Sequence, residues 1–208
     1  MDHQWLEIAN LNGWDDGSTA VSALIVNQTI YLANIGDSRA VLCSNGKAID
    51  LSNDHKPSRE DERQRIEKLG GKVIHYGTWR VQGVLAVSRA FGDRRLKAYV
   101  SAEPEIKQWS LQDGDDFLIL ASDGVWDVLS SQTAVDIVKA SLCENGTDSS
   151  STNGIMTGAS NDIKEAARRL TNHAYSSHSM DNITSLVINL SFYRSQQGYD
   201  STELRKFR

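Results

Sequence analysis

The sequence predicts an α+β fold whose strands run mainly antiparallel. Two observations carry that expectation. Strand-like runs follow one another through residues 18–52 with only short turns between them, and the two clear amphipathic helices come late, after the most apolar strand. A doubly wound parallel sheet would need a crossover helix between successive strands, and no helical pattern falls there. At 208 residues the chain is long enough for one substantial domain and short for two.

The first runs are STAVSALIVN, TIYLANIGD, RAVLCS and KAIDLS, each rich in β-branched residues and bounded by turn formers, so they read as a meander. Asn45-Gly46 is the clearest hairpin turn, because both residues tolerate positive φ. DHKPSREDERQRIEKLGG predicts a helix over 59–69, with Ser58 as its cap, Asp61 three positions on, and Gly70 as a left-handed stop. Short strands are expected at KVIH and RVQGVLAVS, followed by the loop-rich FGDRRLKAYVSAEPEI. FLILAS is apolar at consecutive positions, which suggests a strand covered on both faces. Ala134, Val135, Val138 and Leu142 recur at helical spacing after Ser131, and Ile163, Ala167, Leu170 and Ala174 do so after Asn161 or Asp162. Residues 144–161, rich in Gly, Ser, Thr and Asn, read as a flexible surface insertion between these helices. NITSLVINL supplies a last strand, and residues 191–208 form a tail without periodicity. The expected division is therefore 1–14, the remnant of a preceding helix and loop; 15–190, the domain; and 191–208, the tail.

A formal charge of −5 with no run of Lys or Arg argues against nucleic acid as a partner. No stretch of about 18 apolar residues suggests a membrane span. The amino terminus lacks the basic start and apolar run of a secretory signal. Cys43 and Cys143 lie far apart with no CxxC partner, as reduced cysteines do, so a cytoplasmic or nuclear location is expected. The chain carries 18 Asp against 9 Glu, and the shorter carboxylate suits turns and metal coordination alike.

Carboxylates recur at strand ends. Asp37 follows IYLANIG, Asp123 follows FLILAS, Asp181 precedes NITSLVI, and Asp127 would join Asp123 if Gly124 allowed a tight turn. Such residues at one rim of a sheet could hold a hard divalent cation, which prefers carboxylate oxygens and water. Each also has a plainer reading, because Asp-Gly and Gly-Asp are common turn dipeptides and aspartate caps helices. His55 in DHKP is explained as readily by a turn before Pro57, and His75, His173 and His178 show no ligand spacing. There is no GxSxG elbow, no GxxxxGK[ST] phosphate loop and no HExxH, and neither cysteine sits in a nucleophile setting. Metal chemistry is what remains.

In order, DDGSTAV, IGDSRAVL, DHKPSREDERQRIEKLGG, LAVSRAFGD, LILASDGVWDVLS and MDNIT resemble the metal-dependent serine/threonine protein phosphatases of type 2C, the PPM family, over roughly residues 15–190. The resemblance implies two antiparallel β-sheets packed as a sandwich and flanked by helices. It implies two magnesium or manganese ions that activate a water for attack on phosphoserine or phosphothreonine, with no phosphoenzyme. By motif, Asp123 and Asp181 match ligands of the two-metal centre, while Asp37 and Asp127 match positions that, with Asp123, hold a weaker third metal. Residues 54–77 correspond to the family's variable flap, and Val87, Ser88, Arg89 and Ala90 to scaffold beneath the site. No side chain beyond the metal ligands is given a catalytic role. The family's opening segment, with an acidic ligand, a phosphate-gripping arginine and DGHGG, has no counterpart in this sequence, so the domain is expected to be amino-terminally incomplete. Two readings follow: part of an active phosphatase, or a catalytically impaired phosphatase-like module that binds other proteins. The implied partners are phosphorylated proteins, with no nucleic acid and no membrane, and a monomer is expected.

Overall fold

All four strands expected between residues 18 and 52 form, but they belong to two sheets instead of one meander. A computed structural model describes residues 1–145, 158–190 and 193. Strand β2 (Ala20–Val26) pairs with β3 (Thr29–Ile35) across Asn27 and Gln28, both at positive φ. Strand β4 (Arg39–Ser44) pairs with β5 (Lys47–Asp50) across Asn45 and Gly46, also both at positive φ, as a tight twisted hairpin requires. Between the two hairpins the chain changes sheets through Gly36. Its φ of +98° and the 2.3 Å that would separate a Cβ from Thr19 Cγ2 leave room for glycine alone.

The first sheet has the order β2-β3-β9 and the second β11-β10-β4-β5, all neighbours antiparallel. Here β9 is Glu105–Ser110, β10 Asp115–Ala121 and β11 Ser185–Asn189. Strand β9 begins on the last two residues of the expected loop and runs on through residues for which the sequence offered no strand. Its Ile106, Lys107 and Gln108 are exposed, so it carries no clean alternation, and pairing with β3 supplies the order that propensity does not.

The consecutive apolar residues of β10 divide between two cores. Phe117, Ile119 and Ala121 pack with Val41, Cys43 and the helices α4 (Ser131–Asn145) and α5 (Gly158–Ser176), through Val135, Val138 and Leu170. Leu118 and Leu120 turn the other way, with Leu42 of the same sheet, onto Ile30 and Leu32 of the facing sheet. The result is helices on a four-stranded sheet on a three-stranded sheet, an α+β sandwich. Each of these large side chains contributes about 1.5–3 kcal/mol by leaving water.

Outside the sandwich, helix α1 (Asp2–Asn12) ends on the left-handed Gly13, and β1 (Gly17–Ser18) pairs with β8 (Phe91–Gly92). Helix α2 spans Glu60–Lys68, with Gly70 in the expected left-handed conformation. Ser58 is not its cap. Arg59 occupies that position without a side-chain cap bond, and its Nε instead donates to Asp61 Oδ1 at 2.7 Å. Strands β6 (Val73–Tyr76) and β7 (Thr78–Val81) form a hairpin, and the strand expected over RVQGVLAVS stops at Val81 because Gln82 and Gly83 turn with positive φ. Helix α3 (Asp123–Trp126) is a single turn. Helices α4 and α5 extend into both ends of the expected insertion; residues 146–157 of it lie outside the described residues, as do 191–192 and 194–208 of the tail. Among the described residues no helix is long and apolar enough to cross a membrane.

Candidate functional site

Register in the four-stranded sheet builds the site. Arg39, Ala121 and Ser185 lie in one row across β4, β10 and β11. The residues just beyond that row therefore share one rim: Asp37 before β4, Asp123 after β10, and the loop carrying Asp181 before β11. The segments 122–124 and 179–184 are stitched together there. Ser122 N–H donates to Thr184 O at 3.1 Å, Thr184 N–H to Ser122 Oγ at 3.2 Å, and Ser122 Oγ to Asn182 O at 3.1 Å. Ser179 Oγ donates to Gly124 O at 2.7 Å.

Gly124 serves this contact and not the turn expected of it. It lies inside α3, and a Cβ there would stand 2.3 Å from Asn182 O. Asp127 follows at the end of the same helical turn, its N–H donating to Asp123 O at 2.8 Å while its side chain stays largely exposed. Asp181 is exposed, with its Oδ1 accepting the N–H of Asn182 at 2.6 Å.

Electrostatics join the four carboxylates. Burial pushes the Asp123 carboxyl up from its ordinary range, and the charges of Asp37, Asp181 and Asp127 push it further, against the opposing ammonium of Lys56. Asp37 is itself buried and forms an ion pair with Lys56 Nζ, which also lies 3.9 Å from Asp127 Oδ1. Lys56 is the rim residue that the sequence did not single out. DHKP drew attention to its histidine, and nothing local shows that the next side chain reaches back to Asp37.

His55 is scaffold behind that rim. It is fully buried, its Nδ1 lies 3.0 Å from Gly36 N, and its own N–H donates to Gly36 O at 2.9 Å. Burial, helped by the nearby Arg89 charge, pushes its pKa down and keeps the ring neutral. Ser88 Oγ donates to His55 O at 2.9 Å. Behind this lies Glu62, only 1% exposed, which accepts from Arg89 Nη2 at 2.7 Å and Arg65 Nη2 at 2.9 Å. Arg39 is held separately, its Nε and Nη2 gripping both oxygens of Asp54 at 2.9 and 2.8 Å and its Nη1 reaching Ser131 Oγ.

These donors suit a hard divalent cation chemically. Asp123 is partly buried among like charges, and one ammonium does not balance four carboxylates. They do not yet form a cage: among the described residues no three His, Cys, Asp or Glu side chains are grouped so as to hold a metal ion.

The sandwich is that of the type 2C phosphatases. A serine-threonine phosphatase 2C from Toxoplasma gondii superposes with a TM-score of 0.75 at 26% identity, over 90% of this chain and 63% of that one. A C. elegans sex determining protein superposes with a TM-score of 0.80 at 29% identity, over 93% of this chain and 45% of that one. In sequence, the profile of the protein phosphatase 2C family matches residues 2–183, and the chain belongs to that family. It is 48% identical over 197 residues to the probable protein phosphatase 2C 59 of Arabidopsis thaliana, covering 95% of this chain and 57% of the relative. It is 47% identical over 183 residues to the probable protein phosphatase 2C 45 of Oryza sativa subsp. japonica, covering 88% and 58%. The chain thus spans a little over half the length of these two relatives.

Proposed function

We propose that this protein is a metal-dependent hydrolase of phosphoserine and phosphothreonine in other proteins. The observation that carries the reading is the pairing of β10 with β11, which brings Asp123 and Asp181 to one rim where Asp37 and Asp127 add to the same negative field. Asp123 and Asp181 would hold the principal magnesium or manganese ions, and Asp37 and Asp127, with Asp123, an outer one. Bound there, these ions supply Lewis acidity for water and positive charge for the phosphoryl oxygens.

The chain's own residues supply rigidity and shielding. Strand β10 fixes Asp123 from a dry core, and the Ser122–Asn182–Thr184 bonds fix the loop of Asp181. Cys43 does not compete as a nucleophile: it is buried, and burial pushes its thiol up, away from the reactive thiolate. The fragmentary cage favours a second reading, a phosphatase-like module that binds phosphorylated partners without turnover. A cytoplasmic or nuclear monomer remains part of the proposal.

Hydrolysis of a phosphothreonine peptide with manganese, by the wild type and Asp123→Asn, separates the readings. Turnover that falls at least about 100-fold in the variant is expected, as for loss of a ligand. Undiminished turnover in Asp123→Asn would overturn the assignment, and peptide binding without turnover in the wild type would favour the binding module.

A further inference from the structure

We infer that Lys56 is a tethered counter-ion that occupies the outer half of the acidic rim and competes there with a divalent cation. The inference rests on the reading of the rim as a cation site, and it adds a residue that contests that site from within the chain. The ammonium is ion-paired with Asp37 and stands 3.9 Å from Asp127 Oδ1. One of these carboxylates comes from the crossover between the two sheets and the other from the end of α3, so a single lysine bridges two elements.

The base of Lys56 is fixed while its tip is free to leave. His55 on one side is fully buried and bonded to Gly36, Pro57 on the other side is buried, and Lys56 O accepts the N–H of Arg59 at 3.0 Å. The side chain itself is 32% exposed, which gives the ammonium a path to water along its four-carbon stem. Arg39 cannot take its place, because both oxygens of Asp54 hold that guanidinium.

Charge decides the exchange. Against the two outer carboxylates, one ammonium leaves a net negative charge, whereas a divalent ion neutralises both. The cation therefore wins once its concentration suffices, and the lysine swings out. The same occupancy accounts for the absence of a cage among the described residues: Asp37 and Asp127 are arranged around an ammonium, which needs no ring of close oxygens. The outer position is thereby made weaker than its carboxylates alone would make it. The inner pair, Asp123 and Asp181, is left to bind first.

The test is manganese titration of the purified chain, read as free manganese by electron paramagnetic resonance, with thermal unfolding in chelator and in manganese. Lys56→Met should bind manganese about five- to tenfold more tightly, the effect of removing one charge at about 4 Å in a wet site. Lys56→Arg should match the wild type. In chelator Lys56→Met should unfold at a lower temperature than the wild type, and manganese should recover more in the variant. Unchanged or weaker manganese binding in Lys56→Met, or a loss of stability that is the same with and without manganese, would overturn the inference. Should Lys56→Met fail to fold, Lys56→Gln, which keeps a polar stem, is expected to show the same gain, and no gain would overturn it. Hydrolysis plays no part in this readout. A failed phosphatase assignment shows in the turnover of Asp123→Asn, and a failed competition shows in the manganese affinity of Lys56→Met.

Discussion

Gly124 shows how one residue can be found in the sequence for the wrong reason. Its place beside Asp123 suggested a sharp turn, yet its backbone is helical and its importance lies in the 2.3 Å that a Cβ would leave to Asn182 O. Alanine gains about 1 kcal/mol over glycine in a helix. Here that gain is outweighed, because Asn182 O is a backbone carbonyl and cannot rotate away, and overpacking of this kind costs about 1–3 kcal/mol. Gly124→Ala should therefore lower stability in urea denaturation and loosen the Asp181 loop; an equal or higher midpoint would contradict the contact. Asp37, Asp123 and Asp181 stood out in the sequence because each adjoins an apolar strand, and Asp127 because it follows Asp123 by four residues. Lys56 was not, because its partner lies 19 residues earlier in the chain and meets it only after the sheets pack.

At the level of elements, β10 was legible because its Phe117–Ala121 stretch, covered on both faces, is apolar at consecutive positions, whereas β9 was not, since an edge strand with exposed Ile106, Lys107 and Gln108 carries no period. Helix α2 was legible in extent but not in capping, and its buried Glu62 explains how it is anchored. Burial alone would raise the Glu62 carboxyl, but hydrogen bonds from Arg89 and Arg65 more than offset this and hold it well below the ordinary range. A folded pKa below the unfolded one stabilises the protein fully above the unfolded value, about 4.3, and the contribution is lost as pH falls below it. Glu62→Gln should thus be less stable than the wild type by about 1–3 kcal/mol at pH 7, since two arginines lose their charged acceptor. That difference should narrow in urea denaturation below about pH 4. A gap that stays constant from pH 7 to pH 3 would show that the carboxylate is not what anchors the helix.

At the scale of the molecule, the antiparallel sandwich could be anticipated from strands without crossover helices, but not the change of sheet at Gly36. That change requires knowing that Thr19 and Arg89 crowd the crossover from other elements. It matters for the site, because leaving one sheet for the other is what carries Asp37 to the rim where β10 and the β11 loop deliver Asp123 and Asp181. Six ordered motifs made the family legible, while the arrangement of the carboxylates around Lys56 emerged only in three dimensions. The most direct test of the rim as a cation centre is anomalous diffraction from crystals of the protein soaked in manganese. We expect a peak beside Asp123 and Asp181, lost in Asp123→Asn; manganese bound only elsewhere, with none against these two carboxylates, would contradict the centre itself.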